Sequence, residues 1–149
     1  MATRVESATT VGQALPSLVK DVSQRRIDVY SGVRPRSIHS DEAWARQKGF
    51  RTCLAQGMMS TAYVSQLMVK LLGPGFARGG TLSMAFIKPV YAGDVLTAVS
   101  TVVDVYEKPG KRGGSMNFAV IETEYRNQGG TLVARARSVS IETGQVVKD

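Results

Sequence analysis

The chain has one cysteine, one histidine and one tryptophan: Cys53, His39 and Trp44. A lone cysteine excludes an intrachain disulfide and is in keeping with a cytoplasmic protein. No uninterrupted apolar run reaches the roughly 18 residues of a membrane span. Nothing apolar follows Met1-Ala2-Thr3-Arg4-Val5-Glu6, so no secretory leader is expected. Acids are also scarce. Nineteen Lys and Arg stand against twelve Asp and Glu, a net charge of +7. A basic surface attracts anions, whether nucleic acid, acidic lipid or phosphorylated small molecules. The bases, however, are scattered. The nearest to clusters are Arg34/Arg36, Arg46/Lys48/Arg51 and Lys108/Lys111/Arg112. A nucleic-acid module would show a basic stripe interleaved with aromatics. An anionic small ligand is therefore expected, with neither nucleic acid nor a membrane as partner.

What is present describes one globular domain. Apolar residues make up 43% and charged residues 21% of 149 positions, a composition with enough material for a real core. Residues 1–11 read as a loose tail and 12–149 as a single domain. Leu15 to Val22 reads as a strand. Ser23 caps a helical turn from Gln24 to Tyr30. A loop from Ser31 to Ser40 follows, and Asp41 caps a short helix, Glu42 to Lys48, ended by Gly49. Met58 to Leu72 is the strongest helix. Its apolar residues fall on nearly every side, the mark of an enclosed helix, and Gly73-Pro74-Gly75 stops it. Four strands follow: Gly80 to Val90, Val95 to Glu107, Ser115 to Arg126 and Thr131 to Glu142. Ala92-Gly93-Asp94, Pro109 to Gly114 and Asn127-Gln128-Gly129-Gly130 separate them. Short connections imply antiparallel pairing. The expected class is α+β, one long central helix wrapped by a curved antiparallel sheet of about five strands. Open sheet edges in such a domain are commonly hidden by pairing with a second copy, so a homodimer is expected.

Two segments carry the chemistry. The first is Tyr30-Ser31-Gly32-Val33-Arg34-Pro35-Arg36-Ser37-Ile38-His39-Ser40-Asp41, a Gly/Pro-rich loop holding the only imidazole, a group that gives and takes protons near neutral pH. The second is Ala55-Gln56-Gly57-Met58-Met59, which opens the long helix. With Gly12-Gln13-Ala14-Leu15-Pro16, Ala43, Gly49-Phe50 and Phe86, Pro89, Val90, Gly93 and Asp94, these segments resemble the MaoC-like (R)-specific enoyl-CoA hydratases and dehydratases of the hot-dog fold. The resemblance runs from about Gly12 to Glu142. Ile38-His39-Ser40-Asp41 matches the family's Ile-His-x-Asp, and Ala55-Gln56-Gly57-Met58 is similar to its Ala-His-Gly-Met. The family pairs the loop histidine with an aspartate. Here that place holds Val33 or Arg34, depending on the end counted from, and Arg36 takes the place of an asparagine.

The resemblance implies an acyl-thioester hydratase or dehydratase acting on a coenzyme A or acyl-carrier thioester. Coenzyme A enters as part of the substrate, with no separate cofactor and no metal. His39 is the expected acid/base. Gly57 is expected to present its backbone N–H, at a helix start that favours negative charge, to the thioester oxygen. Gln56, Met58, Ser60 and Tyr63 are expected to line the substrate site. Arg34 and Arg36 either clamp a second acid group on the substrate or a phosphate, or stand as surface charge. Asp41 reads as a helix cap, Glu42 as solvated and Cys53 as a small buried residue. The alternative is a protein of the same fold without hydratase activity, binding a thioester or hydrophobic acid or catalysing a different elimination or isomerisation.

Overall fold

Alternation of apolar with polar or charged residues carries the second half of the chain into strands. The computed structural model describes residues 10–73, 76, 79–111 and 114–143. Its elements run β1 (Leu18–Asp21), α1 (Gln24–Ser31), α2 (Glu42–Gln47), α3 (Gly57–Leu72), β2 (Thr81–Phe86), β3 (Val95–Pro109), β4 (Ser115–Arg126) and β5 (Leu132–Thr143). The strands form one sheet in the order β1-β3-β4-β5-β2, and every pairing is antiparallel. A register shift between Val102 and Asp104 interrupts the β3–β4 ladder. Such a bulge bends its strand and increases the local twist, which suits a sheet that must curve. Val64, Leu67 and Met68 of α3 join Leu96, Ala98, Val102, Ile121, Tyr125 and Val133 from the sheet in one core. Each fully buried side chain of this size contributes about 1.5–3 kcal/mol. This is the helix-on-sheet architecture of the hot-dog fold. No helix among the described residues is long and apolar enough to cross a membrane.

The edges of the expected elements move for local reasons. The first strand is Leu18–Asp21 rather than Leu15 to Val22. Ala14 bridges Thr101 and the Leu15 N–H donates to Ser100 O, but Pro16 has no N–H to continue the ladder. The strand expected over Gly80 to Val90 ends at Phe86. Beyond it the N–H groups of Ile87 and Lys88 both donate to Val133 O, so the register is lost before Pro89. Val90 and Tyr91 then turn to a different partner, the segment that enters α3. The long helix is not enclosed all round in the single chain. The sheet covers Met59, Val64, Leu67, Met68 and Leu71, while Met58, Ala62 and Val69 stay exposed. The expected tail through Thr9, Pro74 and Gly75 of the helix stop, and Arg112 and Gly113 of the hairpin tip lie outside the described residues.

Candidate active site

The loop that carries His39 is held by its backbone and by short polar side chains. Ser23 caps α1, its hydroxyl accepting from Arg26 N. At the first position of the helix, the Gln24 amide donates from Nε2 to Asp28 Oδ1 at 2.7 Å and to the carbonyl of His39 at 2.8 Å. The Arg34 N–H donates to Ser40 Oγ at 2.9 Å, and that hydroxyl donates back to Arg34 O at 3.0 Å. Arg36 takes a left-handed conformation, φ 56°, the region that asparagine tolerates better than arginine. Its N–H is fixed by Asp41 Oδ2 at 3.0 Å, while Asp41 Oδ1 accepts from Trp44 N at 3.1 Å. Asp41 thus caps α2 and closes the loop with one carboxylate. These N–H donors, Arg36 first, hold its carboxyl below the usual range.

The ring of His39 faces the segment leading into the long helix. Its Nδ1 lies 2.8 Å from the carbonyl oxygen of Leu54. A carbonyl only accepts, so Nδ1 carries a proton, and in the neutral ring the lone pair is on Nε2. The backbone repeats the connection: Leu54 N donates to Ile38 O at 3.0 Å, and Ala55 N donates to Val90 O at 2.9 Å. The imidazole is therefore anchored three residues before Gly57.

At the start of α3, Gln56 is the N-cap and makes no side-chain capping bond. The first N–H groups of a helix have no partner within it, and here no side chain of the cap residue takes them. Packing also favours the glycine. A Cβ at Gly57 would come within 2.9 Å of Cε1 of Phe86. Phe86, Gln56, Gly57, Met58, Ser60 and Pro89 help to line a cleft of about 630 Å³. Met58 and Phe86 remain 59% and 56% exposed, an apolar rim at its mouth.

The structure thus groups Gln56, Gly57, Met58 and Ser60 on one cleft, with the imidazole anchored to Leu54 of the same lining. Tyr63 lies elsewhere. With Met59 and Ala62 it faces Arg25, Arg26 and Tyr30 across a second cleft of about 810 Å³ between α3 and α1. Burial raises the Tyr63 phenol, and the Arg26 guanidinium opposes that shift. Arg34 and Arg36 are exposed and, like His39, are not among the residues lining either cleft; their backbones hold the loop together.

Cys53 is buried. Burial, and then the negative charges of Glu42, Asp28 and Asp41, push its thiol up, away from the nucleophilic thiolate. Glu42 is exposed and pairs with Arg46 at 2.8 Å. Gln24, Leu54 and Phe86 are the residues that sequence reading did not assign to the site. Leu54 acts through a carbonyl that every residue has, and Gln24 lies 15 positions from the carbonyl it holds. Phe86 had a signal, a large aromatic ending a strand just before Pro89. Among the described residues no three of His, Cys, Asp and Glu gather as a metal-holding group.

The model of the FAS1-like dehydratase domain region matches residues 11–136 of the chain. The chain belongs to the MaoC-like hydratase/dehydratase family. It is 35% identical over 89 residues to an (R)-specific enoyl-CoA hydratase from Rhodospirillum rubrum, a match covering 58% of this chain and 61% of that relative's length. The crystal structure of a MaoC-like dehydratase from Rhodospirillum rubrum superposes with a TM-score of 0.74 at 23% identity, covering 95% of this chain and 98% of the other. The (R)-hydratase of A. caviae involved in PHA biosynthesis gives 0.70 at 26% identity, covering 89% and 97%.

Proposed function

We propose that this protein adds water to, or removes it from, the 2,3-bond of an acyl thioester, with His39 as its only acid/base. The observation that carries the reading is the Nδ1–Leu54 hydrogen bond, which ties the imidazole to the segment entering α3 and, in the neutral ring, leaves the lone pair on Nε2. In hydration, Nε2 takes a proton from water as the water oxygen bonds to C3. The π electrons move onto the thioester oxygen, where the Gly57 N–H receives the developing negative charge. The imidazolium then returns a proton to C2 as the enolate collapses. One proton is taken and one is given, so no second titrating group is needed. Coenzyme A is part of the substrate, and the Rhodospirillum rubrum relative is named for an enoyl-CoA.

The test follows loss of enoyl absorbance for 2-enoyl thioesters of graded length with the native protein and with His39→Gln. Turnover that His39→Gln abolishes supports the reading. The absence of a carboxylate at Val33, Arg34 and Arg36 favours a second reading, a thioester binder or a catalyst of a different elimination or isomerisation. Tight binding of the same thioesters with no change in absorbance would establish that one.

A second copy of the chain completes the architecture in this proposal. The exposed Met58, Ala62 and Val69 on α3 and the sheet-edge strand β2, with Phe86 at its end and Ile87 just beyond, are apolar surfaces of the sort a homodimer covers. Light scattering that reports a monomer at micromolar concentration would overturn it.

A further inference from the structure

We propose that Gln24 is the positioning residue of the imidazole: its carboxamide, held by Asp28, ties the main chain of His39 to α1 and so keeps the ring on Leu54. The effect on rate rests on the thioester reading above, and the effect on the ring does not.

The loop by itself gives the imidazole little support. Residues 31–38 contain no carboxylate, and residues 32–36 are exposed. Arg36 sits in the left-handed region, φ 56°, a conformation that disfavours an arginine. Every polar group of His39 except Nε2 has a partner among the described residues. Its N–H donates to Ser37 Oγ at 3.2 Å, its carbonyl accepts from Gln24 Nε2 at 2.8 Å, and its Nδ1 lies 2.8 Å from Leu54 O. Ser37 belongs to the loop, and Leu54 contributes main chain. Among the described residues, Gln24 is the one side chain from outside residues 31–41 that bonds this loop.

The chemistry of the contact fixes which end of the carboxamide faces the loop. Both partners of Gln24 Nε2 are acceptors, a carboxylate oxygen of Asp28 at 2.7 Å and the His39 carbonyl at 2.8 Å. An NH2 group carries two hydrogens and serves both, whereas the amide oxygen could serve neither. The bond to the Asp28 carboxylate is charge-assisted, the stronger kind, and it holds the carboxamide in place. Asp28 is fixed in turn by its own helix, where its main-chain carbonyl accepts from Gly32 N at 2.8 Å and closes α1. Ile27, 0% exposed, anchors that helix in the core. A side-chain pair at i and i+4 would by itself be ordinary support for a helix. The second bond is not local: it spans 15 positions to the residue that carries the imidazole. It holds the main chain of His39 while Leu54 holds the ring, and a base displaced by about 1 Å loses on the order of 10²-fold in rate.

His39 is the only histidine, so the two imidazole 15N resonances report its tautomer without interference. Native protein at pH 8 should show the Nδ1–H form. Gln24→Met keeps the length and helix preference of the side chain and removes its donors. It should move the ring away from that form and lower kcat for crotonyl-CoA by about ten- to a hundred-fold. KM should stay within about two-fold, because Gln24 does not line the cleft at the start of α3. The double variant Gln24→Glu with Asp28→Asn separates positioning from support of the helix. Its new amide at position 28 donates to its new carboxylate at position 24, with no change in net charge. The pair within α1 and the melting temperature should therefore be kept, while the His39 carbonyl remains without a donor. Tautomer and kcat impaired in both variants would support the proposal. A native tautomer in Gln24→Met, or one recovered together with the melting temperature in the double variant, would overturn it and leave Gln24 as helix support. If the native protein turns over no enoyl thioester, the thioester reading fails, and the tautomers of the two variants decide the role of Gln24 alone.

Discussion

Nδ1 of His39 and the carbonyl of Leu54 lie 2.8 Å apart, a contact that in the neutral ring leaves the lone pair on Nε2. His39→Gln keeps a polar side chain of similar reach but cannot titrate. It is expected to lower hydration of an enoyl thioester by about 10²–10⁴-fold, the usual worth of a general acid–base group. The melting temperature should change little, because the backbone bonds of Ile38, Leu54 and Ala55 remain. A variant within two-fold of the native rate would remove the imidazole from the reaction.

Gly57 and Phe86 form a second testable pair. Gly57→Ala places a methyl within 2.9 Å of the ring. Because the obstacle is the far end of a side chain, the cost should fall near the low end of the range for overpacking, about 1 kcal/mol. Adding Phe86→Ala should restore the melting temperature of Gly57→Ala. If Phe86→Ala restores nothing, the ring is not what confines position 57.

Asp94 predicts a stability effect away from the chemistry. Its side chain is 1% exposed and accepts from Arg51 at 2.6 Å, from Gln128 at 3.1 Å and from Tyr91 N at 2.8 Å. Asp94→Ala leaves these donors without their shared acceptor and is expected to cost about 3 kcal/mol in urea unfolding. Arg51→Ala should cost less, since Arg51 is 58% exposed and Gln128 and Tyr91 still bond the carboxylate. Equal costs would mean that the ion pair, not the whole cluster, holds the acid.

Cys53 gives a pH dependence. Its thiol is raised above the ordinary 9.0, by burial first and then by Glu42, Asp28 and Asp41. In the unfolded chain the thiol ionises near that ordinary value, while in the folded chain it stays protonated. Below it the two states bind the same proton and the group is neutral to stability. As pH rises through it, the unfolded state loses its proton first and stability falls. Cys53→Ala should lack this alkaline loss, and native Cys53 should alkylate slowly at pH 8 but quickly in urea. Fast native alkylation would contradict the burial.

Much of this was legible in the sequence. The period-two pattern and the Asn127–Gly130 turn located β4 and β5 within a residue, and Asp41 announced its cap by preceding a helical run. The first strand was overdrawn because its apolar residues continue past Pro16, where the ladder cannot. The strand after α3 was overdrawn because Ile87 and Val90 look like strand residues yet pair with different partners. His39 and Gly57 were legible as a pair of motifs. The bond that orients the imidazole was not, since it ends on a main-chain oxygen brought near by folding. Sequence spacing also cannot say that the loop turns through a left-handed Arg36.

The sharing of one buried carboxylate by Arg51, Tyr91 and Gln128 also sets an order of assembly. A nascent chain cannot complete the set until position 128 has left the ribosome, so the strap before α3 gains its last tether only when the final hairpin turn arrives. Residues through 128 must be synthesised before Arg51, Tyr91 and Gln128 can share the Asp94 carboxylate.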